Sequence, residues 1–130
     1  MENMTIKEEE FYKYLKRYLI LTGIEIRNKI SIDDLCKERR DLGLSFGKEE
    51  ELIKDILIDF VLYKDNKAVA GIEIVDEKEE LNSTIGERTL IDYLFSRMGY
   101  EYFRITDLDK LNEAAKTVRK KTLESLKKAR

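Results

Sequence analysis

Apolar residues at Phe11, Tyr14, Leu15, Tyr18 and Leu19 recur at three-four spacing. This spacing predicts an amphipathic helix over Thr5 to Leu21. Thr5 with Glu8 forms a capping-box signature at its start, and Gly23 closes it. The period then changes to two. Ile24, Ile26, Ile30 and Ile32 alternate with Glu25, Arg27, Lys29 and Ser31, the pattern of a strand with one wet face. Asn28 interrupts the apolar side and marks a bulge or bend. Ser31 and Asp34 open a short helix through about Asp41, ended by Gly43, while Ser45 to Lys54 fits either a loop or a second short helix. Ile56 to Tyr63 and Ala68 to Val75 read as two strands, and Glu77 to Gly86 as a polar loop. Glu87 to Met98 is predicted as a helix with Leu90, Ile91, Leu94, Phe95 and Met98 on one face and Gly99 at its end. Tyr100 to Ile105 is the last strand. Thr106 or Asp107 caps a final helix with a stripe of Leu108, Leu111, Ala115, Val118 and Leu126.

The order is α-β-(α)-β-β-α-β-α. Middle strands that are apolar at most positions call for helices on both faces. Strands separated by helices imply a mixed sheet with at least one parallel pair. The fold class is therefore α/β, with a mixed four-stranded sheet flanked by helices.

The two middle strands each carry one carboxylate, Asp59 and Glu73. The turn length decides how they face each other, because a one-residue slip moves every side chain to the other face. A three-residue loop at Asp65-Asn66-Lys67 pairs Lys64 with Ala68 and sets Asp59 opposite Glu73. It also leaves Ile58, Phe60, Leu62, Ala70, Ile72 and Ile74 as one wholly apolar face. A two-residue loop mixes Glu73 into that face. The three-residue register is the expectation, with both carboxylates side by side. Opposed like charges are destabilising, and partial burial adds a desolvation cost. A divalent cation offsets both, and magnesium commonly takes one or two carboxylates. Gly71 leaves room beside Glu73 for a backbone or a ligand.

Charge and composition narrow the chemistry. The chain has 130 residues, the size of one domain, and 42% hydrophobic residues, enough for a core. Its net charge of -2 is unevenly spread: Lys110 to Arg130 sums to +6 and the remainder to -8. A basic last helix over residues 107–130 suits either a polyanion or the acidic body of a second copy, and equally a solvated surface. Histidine is absent, which excludes His-based triads and Cys/His metal sites, and the single Cys36 excludes an internal disulfide. No apolar run approaches the ~18 residues of a membrane span. With no signal peptide visible, the chain reads as cytoplasmic, with no membrane partner.

The fragments "EEEFYKYL" at Glu8 to Leu15, "IDFVLY" at Ile58 to Tyr63, "GIEIVD" at Gly71 to Asp76 and "RMGYEYFRI" at Arg97 to Ile105 together resemble the PD-(D/E)xK nuclease superfamily. More narrowly, they resemble a group of bacterial domains of unknown function placed in it. The resemblance spans about Glu8 to Ile105 and implies a restriction-endonuclease-like fold over a single domain of residues 1–130. It implies that Asp59 and Glu73 bind Mg²⁺, and that Glu8 is a supporting acid of the catalytic set. Arg104 matches the "apolar-Arg-apolar" end of the group. Two departures stand out: Ile58 precedes Asp59 where the family has proline, and Val75 occupies the position of the family's lysine. Lys54, Lys64 and Lys78 are the candidates to replace it.

Two functions follow as expectations. One is a metal-dependent nuclease, or a nucleic-acid-binding relative with weak catalysis, with Arg104, Lys116, Arg119 and Lys120 contacting nucleic acid or a partner. The other is a catalytically inactive module that binds a nucleic-acid-handling protein as inhibitor or adaptor. A homodimer is compatible with either.

Overall fold

The computed structural model describes residues 3–44, 51, 54–76 and 85–128. The elements in chain order are α1 (Ile6–Tyr18), β1 (Ile24–Ser31), α2 (Ile32–Glu38), a 3-10 turn (Arg40–Leu42), β2 (Leu57–Lys64), β3 (Lys67–Ile74), α3 (Ile85–Met98), β4 (Glu101–Ile105) and α4 (Leu111–Lys128). Most of Ser45 to Lys54 and of Glu77 to Gly86 lies outside the described residues.

The strands form one sheet in the order β1-β2-β3-β4. β1, β2 and β3 are antiparallel neighbours, and β4 joins β3 in parallel after the α3 crossover. The mixed sheet with one parallel pair is thus as the pattern predicts. Helices cover both faces. On one side α1 and α4 bury Phe11, Leu15, Leu111, Ala115 and Val118 against Phe60, Leu62, Ala70, Ile72 and Ile74. On the other, α2 and α3 bury Ile32, Leu35, Ile91, Leu94, Phe95 and Met98 against Ile58, Val61, Tyr63 and Ala68. Each aliphatic or aromatic side chain withdrawn from water contributes roughly 1.5–3 kcal/mol, so the two cores supply the main driving force.

Local signals fix the element ends. Both arms of the α1 capping box are present: Glu8 N–H donates to Thr5 Oγ1 at 3.1 Å, and Thr5 N–H donates to Glu8 Oε1 at 2.9 Å. α1 stops at Tyr18, earlier than the apolar spacing suggests, and a turn through Gly23 leads into β1. Ser31 caps α2 by accepting from Asp34 N–H. α4 begins at Leu111, so Thr106 and Asp107 lie before it and are not its caps. Asp107 instead accepts from Asp109 N–H within the preceding turn.

The β2–β3 turn corrects the sequence reading. Lys64 pairs with Lys67, leaving a two-residue turn at Asp65-Asn66. Both residues have positive φ, 51° and 65°, the signature of the type I′ hairpin turn. The register then shifts between Leu62 and Tyr63, skipping Val69, so that Leu62 pairs with Ala70 and Phe60 with Ile72. A bulge in β3 therefore restores the register that the three-residue loop was expected to supply.

Candidate functional site

A second irregularity crosses two strands. In β1, Ile24 and Ile26 pack toward α1 and α4, whereas Ile30 packs toward α2 and α3. In β2, Ile58 packs on the α3 side and Phe60 on the α1 side, although residues two apart in a regular strand share a face. Both strands change face at Lys29 and Asp59. Lys29 has φ of 52°, the left-handed conformation that lysine rarely adopts. The irregularity falls one residue after Asn28.

At this defect Lys29 Nζ lies 2.8 Å from Asp59 Oδ1, 2.9 Å from Glu8 Oε2 and 3.2 Å from Glu8 Oε1. Glu8 is buried, Asp59 keeps 17% of its side chain exposed and Lys29 29%. Asp59 Oδ2 also accepts from Ile74 N–H at 2.9 Å, replacing a strand carbonyl where the β2–β3 ladder ends. The capping geometry of α1 places Glu8, the left-handed backbone at Lys29 aims its side chain, and the face change in β2 brings Asp59 to it.

Two carboxylates and one ammonium carry a net charge of -1 when all are ionised. Burial raises the Asp59 carboxyl above its ordinary value, outweighing Lys29 and the Ile74 N–H, and the Glu8 charge adds to the rise. Burial also works to raise Glu8, but the Thr5 N–H and the Lys29 ammonium hold it below the usual range. Lys29 is raised: burial acts against its charge, and the hydrogen bonds to Asp59 and Glu8 prevail.

Glu73 has different company. Its neighbours Ile72 and Ile74 face α1 and α4, which turns Glu73 toward the α3 side. There it is in register with Arg104 of β4 and close to Tyr102. Burial, with the Glu73 charge behind it, pushes the Tyr102 phenol far above its ordinary range, while Arg104 works against the shift. Asp59 and Glu73 thus stand near one level of the ladder, Asp59 bonded to Lys29 and Glu73 in register with Arg104. The room beside Gly71 is also taken: a Cβ there would lie 2.4 Å from the Phe95 ring. Val75, at the lysine position, is buried, and its N–H donates to Ile105 C=O.

Lys116, Arg119 and Lys120 lie exposed on α4, and Arg119 Nε donates to Tyr18 C=O at 2.9 Å. Arg104 is half-buried in β4. Lys29 is the residue that sequence reasoning missed. It occupies a wet position of a regular alternation, and only the break at Asn28 signalled that the strand was not regular. Of the lysines named as substitutes for the missing one, Lys64 instead donates to Thr22 C=O at 2.7 Å, and Lys78 lies outside the described residues.

Two cavities lie elsewhere. One of about 1070 Å³ opens at the hairpin end, among Arg39, Asp41, Lys64 and Tyr100. The other, about 470 Å³, runs between β4 and α4. Glu8, Lys29 and Asp59 line neither. Among the described residues, no three Asp, Glu, Cys or His side chains converge as metal ligands. Comparison with protein-family models, curated proteins and solved structures finds no match to this chain.

Proposed function

We propose that this chain is a nuclease-like domain of restriction-endonuclease-like architecture that works by binding rather than by hydrolysis, as an inhibitor or adaptor of a nucleic-acid-handling protein. The observation that carries this reading is the Lys29 ammonium between Glu8 and Asp59. The Mg²⁺ implied by the resemblance does not fit the residues as they stand. The two carboxylates that converge already share a cation of the protein's own, and Glu73 is turned to another cluster. Val75 supplies neither charge nor hydrogen bond to activate a water, and loss of one such stabiliser commonly costs about a hundred- to thousandfold in rate. The acidic balance of residues 1–109 suits a cationic groove on a partner of this kind.

A second reading keeps catalysis, with Lys29 in the role of the missing lysine. The position of its ammonium at Asp59, on a strand defect of the kind that often borders active sites, favours it. Thermal melting during Mg²⁺ or Mn²⁺ titration, with assays on single- and double-stranded substrates, separates the two. The binding reading expects an unmoved melting temperature and uncut substrates. A metal-dependent rise abolished by both Asp59→Ala and Glu73→Ala, or metal-dependent cleavage, would establish the catalytic reading instead.

A further inference from the structure

The turn between α1 and β1 is built to project two aliphatic side chains. Ile20 is 64% exposed and Leu21 fully exposed, and Leu21 has φ of 65°. Glycine or asparagine is the ordinary occupant of such a left-handed position, so leucine there works against local backbone preference. The turn is nonetheless held firmly. Thr22 Oγ1 donates to Leu19 C=O at 2.6 Å and accepts from Ile24 N–H at 3.2 Å. Lys64 Nζ donates to Thr22 C=O at 2.7 Å, and Arg119 Nε to Tyr18 C=O at 2.9 Å. Cations from β2 and α4 thus brace the base of a loop whose tip is apolar.

The surrounding helix surfaces are mainly basic, with Glu10, Glu113 and Glu124 at their margins. Residues 11–22 hold Lys13, Lys16 and Arg17 and no carboxylate, and residues 114–123 hold Lys116, Arg119, Lys120 and Lys121 and no carboxylate. All seven are exposed, and none forms an ion pair with a described residue. The two stretches adjoin: Tyr18 Oη donates to Asn112 Oδ1, and Lys116 Nζ lies 5.9 Å from the centre of the Tyr18 ring.

We propose that this end of the α1–α4 layer docks on an anionic lipid surface, with Ile20 and Leu21 entering the headgroup–acyl boundary and the seven cations lying at headgroup level. Charge complementarity selects an anionic partner, and the aliphatic tip selects among anionic partners. A phosphate backbone rewards the cations but gains little from an exposed Leu21, whereas a bilayer rewards both. Peripheral docking of this kind needs no membrane-spanning helix, and no described helix is long and apolar enough to be one.

The test is cosedimentation of the intact chain with phosphatidylcholine vesicles, with and without phosphatidylserine, over a salt series. Binding is expected only with phosphatidylserine and is expected to weaken as salt rises. Leu21→Asn should lower vesicle partitioning about tenfold while leaving the melting temperature equal or higher, because asparagine tolerates the left-handed conformation. The pair Lys116→Glu and Lys120→Glu should abolish binding at moderate salt. Absence of binding to phosphatidylserine vesicles overturns the proposal, as does binding that Leu21→Asn leaves unchanged. Salt-sensitive capture of an oligonucleotide in preference to the vesicles would also overturn it, assigning the surface to nucleic acid.

Discussion

At the residue scale, Lys29 carries the candidate site. Removing it leaves Glu8 and Asp59 facing each other with no cation between them. Lys29→Met is expected to cost about 2–3 kcal/mol near neutral pH, toward the low end for a buried pair because Lys29 is partly exposed. The loss should depend on pH with a definite sign. In the wild type the Lys29 contribution is complete below the ordinary lysine value of 10.5 and is lost as pH rises through its raised folded value. In the variant Asp59, already raised by burial, loses the cation that opposed the rise, so the folded state gains protons, and stability, first as pH falls. Denaturant melts across the acid range should therefore show the gap between variant and wild type closing below neutrality. A gap that widens on acidification would contradict the assignment.

Asp59 has two tasks that substitution can separate. One oxygen holds Lys29 and the other accepts from Ile74 N–H. Asp59→Ala removes both partners and leaves an amide at the end of the β2–β3 ladder unsatisfied, at a cost of about 2 kcal/mol. Asp59→Asn keeps a carbonyl oxygen for Ile74 and should cost less than half as much. Equal losses from the two substitutions would mean that the Ile74 hydrogen bond contributes nothing.

At the element scale, the sheet is shaped by its defects. The bulge at Val69, the face change at Lys29 and Asp59, and the close packing of Phe95 over Gly71 all lie in or against the three antiparallel strands. Gly71→Ala drives a methyl group into a ring that is itself buried, and should cost about 1–3 kcal/mol by overpacking. Phe95→Leu should relieve part of that strain, so a double-mutant cycle is expected to give a favourable coupling between the two sites; purely additive losses would place the strain elsewhere.

These defects also mark where sequence reasoning stopped. The three-four pattern located α1, α3 and α4 and the period-two pattern located β1, because those periods follow from backbone geometry and from which face meets the core. The capping box and the Ser31 cap were legible for the same reason: local chemistry sets them. The hairpin was not. Asp65-Asn66 without glycine does not announce a type I′ turn, and a bulge one residue beyond it restores the apolar face, so two errors of one residue cancel by the time the ladder reaches Phe60 and Ile72. The site was half legible. Asp59 stands out as a carboxylate in apolar company, and Glu8 through the capping-box signature and the family resemblance. Lys29 enters only because β1 and β2 change face together, a tertiary event that no single strand pattern encodes. Gly71 was read as room for a ligand, and its occupant, Phe95, comes from a helix more than twenty residues away in sequence.

At the scale of the whole molecule, the carboxylate cluster and the aliphatic loop stand at different ends of one sheet. Ile24 pairs with Lys64 beside the hairpin turn, and Lys29 lies five residues further along β1, about 17 Å away at strand rise. The two regions share no side chain, so a change at one should leave the other intact. That separation makes the role of Lys29 testable from outside the site. If its ammonium stands where a divalent cation would otherwise be held, Lys29→Met converts a self-neutralised cluster into two convergent carboxylates with hard oxygen donors. The variant should then gain what the wild type lacks: Mn²⁺ or Mg²⁺ at about ten times its dissociation constant should raise the melting temperature by about 4 °C. Lys29→Arg, which keeps the charge, should show no such rise, and Lys29→Met with Asp59→Asn should lose it. Vesicle partitioning should be the same in all three variants, because none touches the Leu21 loop. A Lys29→Met protein that folds and ignores both metals would show that Glu8 and Asp59 are spaced for an ammonium alone, and that the resemblance to metal-dependent nucleases does not extend to the site.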